Sequence, residues 1–133
     1  MITGEDKAIE VITPTYVGSS HDFSIFKEED LGELLPLKKA IYLDTGFEGI
    51  KSICPDHNIK KPKKKPQSRK LNGGEKNGNR LISRERVKVE HSIGGMKLFK
   101  IASQRFRGIT QSSDLIYKVT AGLWNLHVRP GIA

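Results

Sequence analysis

One cysteine, Cys54, stands in 133 residues. That excludes an internal disulfide and fits a reducing compartment. The four histidines, His21, His57, His91 and His127, share no spacing typical of zinc ligands. No apolar run approaches the roughly 18 residues of a membrane span, and no signal peptide opens the chain, so no membrane partner is expected. Internal repeats are absent as well. A hydrophobic content of 36% suits one modest core, so residues 1–133 are expected to form a single domain.

Negative charge is also scarce. Asp and Glu number 15 against 23 Lys and Arg, giving a formal net charge of +8 and a pI near 9.7. Such an excess favours a polyanionic partner, most often nucleic acid, because neutralised phosphates release counterions. A basic protein without such a partner is the alternative.

Along the chain, Ala8–Thr13 reads as a strand, with β-branched Ile9, Val11 and Ile12 and a stop at Pro14. Asp22 then precedes a helical pattern running through Phe23, Phe26, Leu31 and Leu35 to Pro36, and its carboxylate suits a cap. Ala40-Ile41-Tyr42-Leu43 is apolar without alternation, which predicts a strand covered on both faces. A basic, proline-broken stretch follows, and residues 60–78 are expected to be a flexible loop within the domain. A helix is expected from near Asn79, with Ile82, Val89, Ile93 and Met96 on one face; Gly94-Gly95 suggests a kink or a close backbone approach. A last helix over Ser112–His127 should bury Leu115, Ile116, Val119, Leu123 and Leu126, with Tyr117 and Trp124 as core residues. The order implies an α/β layered fold. Two strands make a poor sheet, none is offered after Tyr42, and the unpaired edge predicts poor solubility.

Two acids stand out by position. Asp44 ends the second strand, where ligand chemistry gathers in α/β sheets. Glu90 lies at the edge of the long helix's apolar face. Hard divalent cations take carboxylate oxygens, water and substrate phosphate, and two such ions can drive phosphodiester cleavage. Asp before Thr-Gly is also a turn former, and Arg86, four residues before Glu90, offers it an ordinary surface ion pair.

Four segments carry a family resemblance. Gly18-Ser19-Ser20-His21-Asp22-Phe23 is similar to a G-S-x-H-D segment, and Asp44-Thr45-Gly46-Phe47-Glu48-Gly49 to D-x-G-Y-x-G, with Phe47 for the usual Tyr. Arg86 to Lys97 resembles R-x-x-V-E-x-x-I-G-x-x-K, and Ala121 to Leu126 resembles the ending A-x-x-L-x-N. Their order resembles that of the DDE superfamily of insertion-sequence and Harbinger-like transposases, in the C-terminal part of the catalytic domain. The resemblance implies a partial ribonuclease-H-like α/β fold, truncated at the N-terminus. It implies a two-metal Mg²⁺ or Mn²⁺ site with Asp44 as second acid and Glu90 as third, and cleavage and strand transfer at transposon ends. DNA, both element ends and target, is the implied partner, with another copy or an upstream-encoded half of the transposase beside it. A cytoplasmic, nucleoid-associated place follows in a bacterium, a nuclear one in a eukaryote.

In such families the first acid lies some tens of residues before the H-D segment, and here twenty residues precede His21. Glu5, Asp6 and Glu10 fall in what resembles the hairpin of the second strand. The first acid is therefore expected to be absent, with Asp22 the nearest substitute. A catalytically inactive DNA-binding remnant is the alternative function.

Lys60, Lys61, Lys63, Lys64 and Lys65 open the basic stretch, which continues through Arg69 and Lys70. As a phosphate-gripping loop it would position DNA without reading bases. A nuclear localisation signal and a merely solvated loop are the other readings. Arg86, Lys97, Arg105 and Arg107 extend the positive charge and favour DNA; Arg86 and Lys97 join the five lysines as candidate DNA contacts.

Overall fold

The computed structural model describes residues 1–16, 19–103 and 110–131. Gly18 of the first motif, and Arg105 and Arg107, lie outside the described residues. The chain mixes helices with small sheets and divides into two compact units. One is Val17–Arg86; the other joins Met1–Tyr16 to Val87–Ala133.

In the Val17–Arg86 unit, α1 spans Asp22–Glu28. His21, not Asp22, is the cap residue and makes no side-chain cap bond; Asp22 sits in the first turn, where its charge complements the helix dipole. A single helix to Pro36 does not form. Asp30 takes a left-handed conformation, φ 47°, which an Asp tolerates better than most residues, and Leu31–Leu34 is a separate 3₁₀ turn. Strand β3, Ala40–Tyr42, pairs in parallel with β4, Asn58–Lys60, opposing Ile41 to Ile59. The short helix α2, Ile50–Ile53, lies between them in the chain. A strand after Tyr42 therefore exists, contrary to expectation. Asn58-Ile59-Lys60 has one apolar residue, too few for a periodic signal. Coverage of β3 on both faces is likewise corrected, because Ile41 is buried while Tyr42 is exposed.

The long helix α3, Gly73–Lys97, starts six residues before Asn79. Its start is a reciprocal capping arrangement. Asn72 Oδ1 accepts the Glu75 N–H at 2.8 Å, and Glu75 Oε2 accepts the Asn72 N–H at 3.0 Å. These bonds satisfy two otherwise orphaned donors and outweigh the helix-weakening Gly73-Gly74.

The other unit opens with an antiparallel hairpin of β1, Ile2–Thr3, and β2, Ile9–Val11, turning through Lys7 at φ 69°. The end of α3, the turn-long α4, Lys100–Ser103, and α5, Thr110–Val128, complete it. Its core is Ile9, Met96 and Ala121, flanked by Met1, Ile12 and Trp124. Trp124 joins this core as expected, while its indole N–H donates to the Lys7 carbonyl at 2.9 Å. Gly95 is the close approach: a methyl group there would stand 2.1 Å from the Trp124 ring.

The expected apolar stripe of α5 is not its buried face. Leu115 is 64% exposed and Leu126 55%, and Val119, Leu123 and Tyr117 are exposed too. Ser113, Thr120 and Ala121 are buried instead. Small side chains let the helix approach closely, and Thr120 satisfies its hydroxyl on the Ile116 carbonyl at 2.9 Å. On α3 the same correction holds: Met96 is buried, Ile93 is exposed, and Ile82 and Val89 are half-buried.

Candidate active site and nucleic-acid interface

Asp44 follows β3, whose pairing continues through the Leu43 N–H on the Lys60 carbonyl, 3.1 Å. Its carboxylate is divided. Oδ1 accepts the Thr45 N–H at 2.6 Å, and the Asp44 carbonyl accepts the Phe47 N–H at 3.3 Å, closing a turn. Oδ2 faces the Arg86 guanidinium at 3.4 Å. Asp44 is thus a turn former with one exposed oxygen left for electrostatic work, and Arg86 is its counter-ion.

The loop after Asp44 is fixed from two sides. Phe47 meets Phe23 and Phe26 edge-on, with ring centroids 5.9 and 5.8 Å away, so the first two motifs touch through their aromatic residues. Gly49 takes φ 80°, a conformation that costs glycine nothing. From the other side comes the basic segment. Lys61 Nζ donates to the Phe47 carbonyl at 2.7 Å, and Lys64 pairs with Glu48. Lys64, and then Lys61, hold the Glu48 carboxyl below its usual range.

That segment is anchored further along its length. Asn79 clasps the Lys63 backbone, accepting its N–H at 2.8 Å and donating to its carbonyl at 2.9 Å. Arg69 forks onto Glu75 at 2.7 and 2.9 Å, and Lys63 Nζ lies 3.5 Å from the same carboxylate. The Arg69 hydrogen bonds, and then the Asn72 N–H, pull the Glu75 carboxyl down to about 2. Lys60 and Lys65 are exposed. Glu48, Glu75 and Asn79 are site-shaping residues that sequence reasoning missed; the one available signal was Asn72-Gly73-Gly74-Glu75, a capping spacing hidden by its glycines.

Glu90 and Lys97 are exposed residues of α3, in the other unit. With Arg86 they follow spacings of four and seven residues, which keeps all three within roughly 40° of one stripe along the helix. The amino-terminal acids are occupied otherwise. Asp6 pairs with Arg129, and Glu10 lies 3.7 Å from the same guanidinium. Asp44 and Glu90, exposed carboxylates, are donors of the type a hard divalent cation takes. Among the described residues no three His, Cys, Asp or Glu side chains form a cluster that could hold a metal ion, so these donors fit in type but do not make a complete cage. No described helix is long and apolar enough to cross a membrane.

Comparison with known proteins agrees with the motif order. A probable transposase for insertion sequence element IS702 from Microchaete diplosiphon is 34% identical over 111 residues, covering 81% of this chain. The chain spans 38% of that relative's length. No solved structure matches. The family model described as DDE superfamily endonuclease matches residues 1–125, a stretch that takes in Asp44, Glu90, the first three motif segments and all but the last residue of the fourth. The chain belongs to the DDE superfamily of endonucleases.

Proposed function

We propose that the chain is part of the catalytic domain of a DNA transposase, built on a partial ribonuclease-H-like fold. Asp44 and Glu90 supply carboxylates to Mg²⁺ or Mn²⁺, and Lys60, Lys61, Lys63, Lys64, Lys65, Arg86 and Lys97 hold DNA phosphates at transposon ends or target. The observation that carries this reading is the stitching of the basic segment to the Asp44–Gly49 loop, Lys61 on Phe47 and Lys64 on Glu48. It brings cations to the loop that follows the acid, where a phosphodiester could be gripped without its bases being read.

The residues act by position and charge. Thr45 orients the Asp44 carboxylate through Oδ1, leaving Oδ2 to the Arg86 guanidinium. Arg86, already opposite Asp44, is the proposed counter-charge for a scissile phosphate. Divalent ions, when bound, supply an activated water and neutralise charge on the leaving oxygen. With Asp6 and Glu10 turned to Arg129, a partner polypeptide, either another copy or an upstream-encoded half, is the proposed source of a third carboxylate.

A non-catalytic DNA-binding derivative is the second reading. The pairing of Asp44 with Arg86, and of Asp6 with Arg129, favours it. Calorimetric titration with Mn²⁺ separates the two. Specific binding that is lost in both Asp44→Ala and Glu90→Ala supports the metal-dependent enzyme. A folded chain that binds no Mn²⁺ supports the derivative.

A further inference from the structure

Two kinds of ion pair hold the segment between β4 and α3. Glu75 is enclosed, its side chain 11% exposed, and it accepts the Arg69 fork and the Asn72 N–H together. Releasing it would uncap α3, so Arg69 is committed to structure. Glu48 is different. Its side chain is 66% exposed, and its partner Lys64 is 62% exposed. The loop around it is shaped by other groups: the left-handed Gly49, the Phe47 ring contacts and the Lys61 bond to the Phe47 carbonyl.

We propose that Glu48 is an internal competitor for phosphate, neutralising Lys64 until a DNA backbone phosphate replaces it. The proposal rests on the nucleic-acid reading of the segment. A carboxylate and a phosphate oxygen take the same charge-assisted hydrogen bond from an ammonium group. An exposed pair is weak and easily exchanged, whereas a polyanion adds the entropy of released counterions. Glu48 therefore lowers the affinity of the loop for any DNA, and Lys64 contributes only once the exchange has occurred.

The test is fluorescence anisotropy of the full chain with a labelled duplex across a salt series. Glu48→Gln should tighten binding by about fivefold at low salt, with the log–log salt slope close to the parent's because Lys64 meets the same phosphate in both complexes. The gain should vanish when Lys64→Ala is added. A Lys63→Ala, Lys64→Ala, Lys65→Ala triple variant is the control for the interface. If the triple variant binds weakly while Glu48→Gln binds as the parent does, the competitor role is overturned and the interface stands. If the triple variant binds as the parent does, the interface is overturned and the competitor role with it.

Discussion

Glu75 uses one carboxylate to start a helix, hold Arg69 and attract Lys63. Its folded value of about 2 lies below the ordinary 4.5, so its contribution to stability is fully present above pH 4.5 and lost as pH falls towards 2. Glu75→Gln is expected to melt at a lower temperature than the parent at pH 6. Its melting temperature should then fall less than the parent's between pH 4.5 and pH 2, as followed by circular dichroism. Asp6, Asp114 and Glu48 are also held below their usual range, so the parent's acid sensitivity is a sum in which Glu75 should be the separable part. At this scale the sequence was informative where a residue type has few uses. Asp44 follows a strand and closes a turn, as its place before Thr45-Gly46 suggested. Asn79 and Glu48 were not legible, since an exposed Asn or Glu is ordinary on any surface and acquires meaning only from the backbone or lysine brought to it.

Helix α5 shows what periodicity leaves undecided. The leucines and Val119 repeat at helical spacing, and so do Ser113, Thr120 and Trp124 on another face. Apolarity chose the first face, but close packing uses the second, with Ala121 against Ile9 and Met96. Replacing Leu115 and Leu126 with Gln should therefore change stability by less than about 0.5 kcal/mol each, as for other surface sites. Ala121→Leu, by overpacking, should cost about 1–3 kcal/mol in the same urea denaturation series. Equal losses at all three positions would show that the exposed stripe is packed in solution. Strand β4 was hidden for the opposite reason, having too little pattern rather than two patterns.

At the scale of the molecule, the two units differ in how they are tied. Val17–Arg86 is continuous in sequence, whereas the other unit depends on long-range bonds. Asn125 accepts the Ile9 N–H at 2.7 Å and donates to the Ile9 carbonyl at 2.8 Å, completing the free edge of β2 as a neighbouring strand would. This gives Asn125, inside the Ala121–Leu126 segment, a structural reason. Asp114 accepts the Thr15 N–H at 2.6 Å, and Ser92 donates to the Lys7 carbonyl at 2.7 Å. Asn125→Ala leaves a buried N–H and carbonyl unpaired, at a cost of about 1–3 kcal/mol. Hydrogen exchange should rise at Ile9 and Val11 and along the last turns of α5, while the amides of Ile41 and Ile59 keep the parent's protection. Faster exchange at Ile41 and Ile59 to the same extent would show a single cooperative unit instead.

The Ile9–Asn125 clasp also sets an order of events during synthesis. Residues 1–16 can pair as a hairpin well before its outer partners are translated, because Trp124, Asn125 and Arg129 come more than a hundred residues later. At about 5–20 residues per second, that is a wait of about 6 to 23 seconds. During it the β2 edge is open to any other strand, including that of a second nascent chain on the same message.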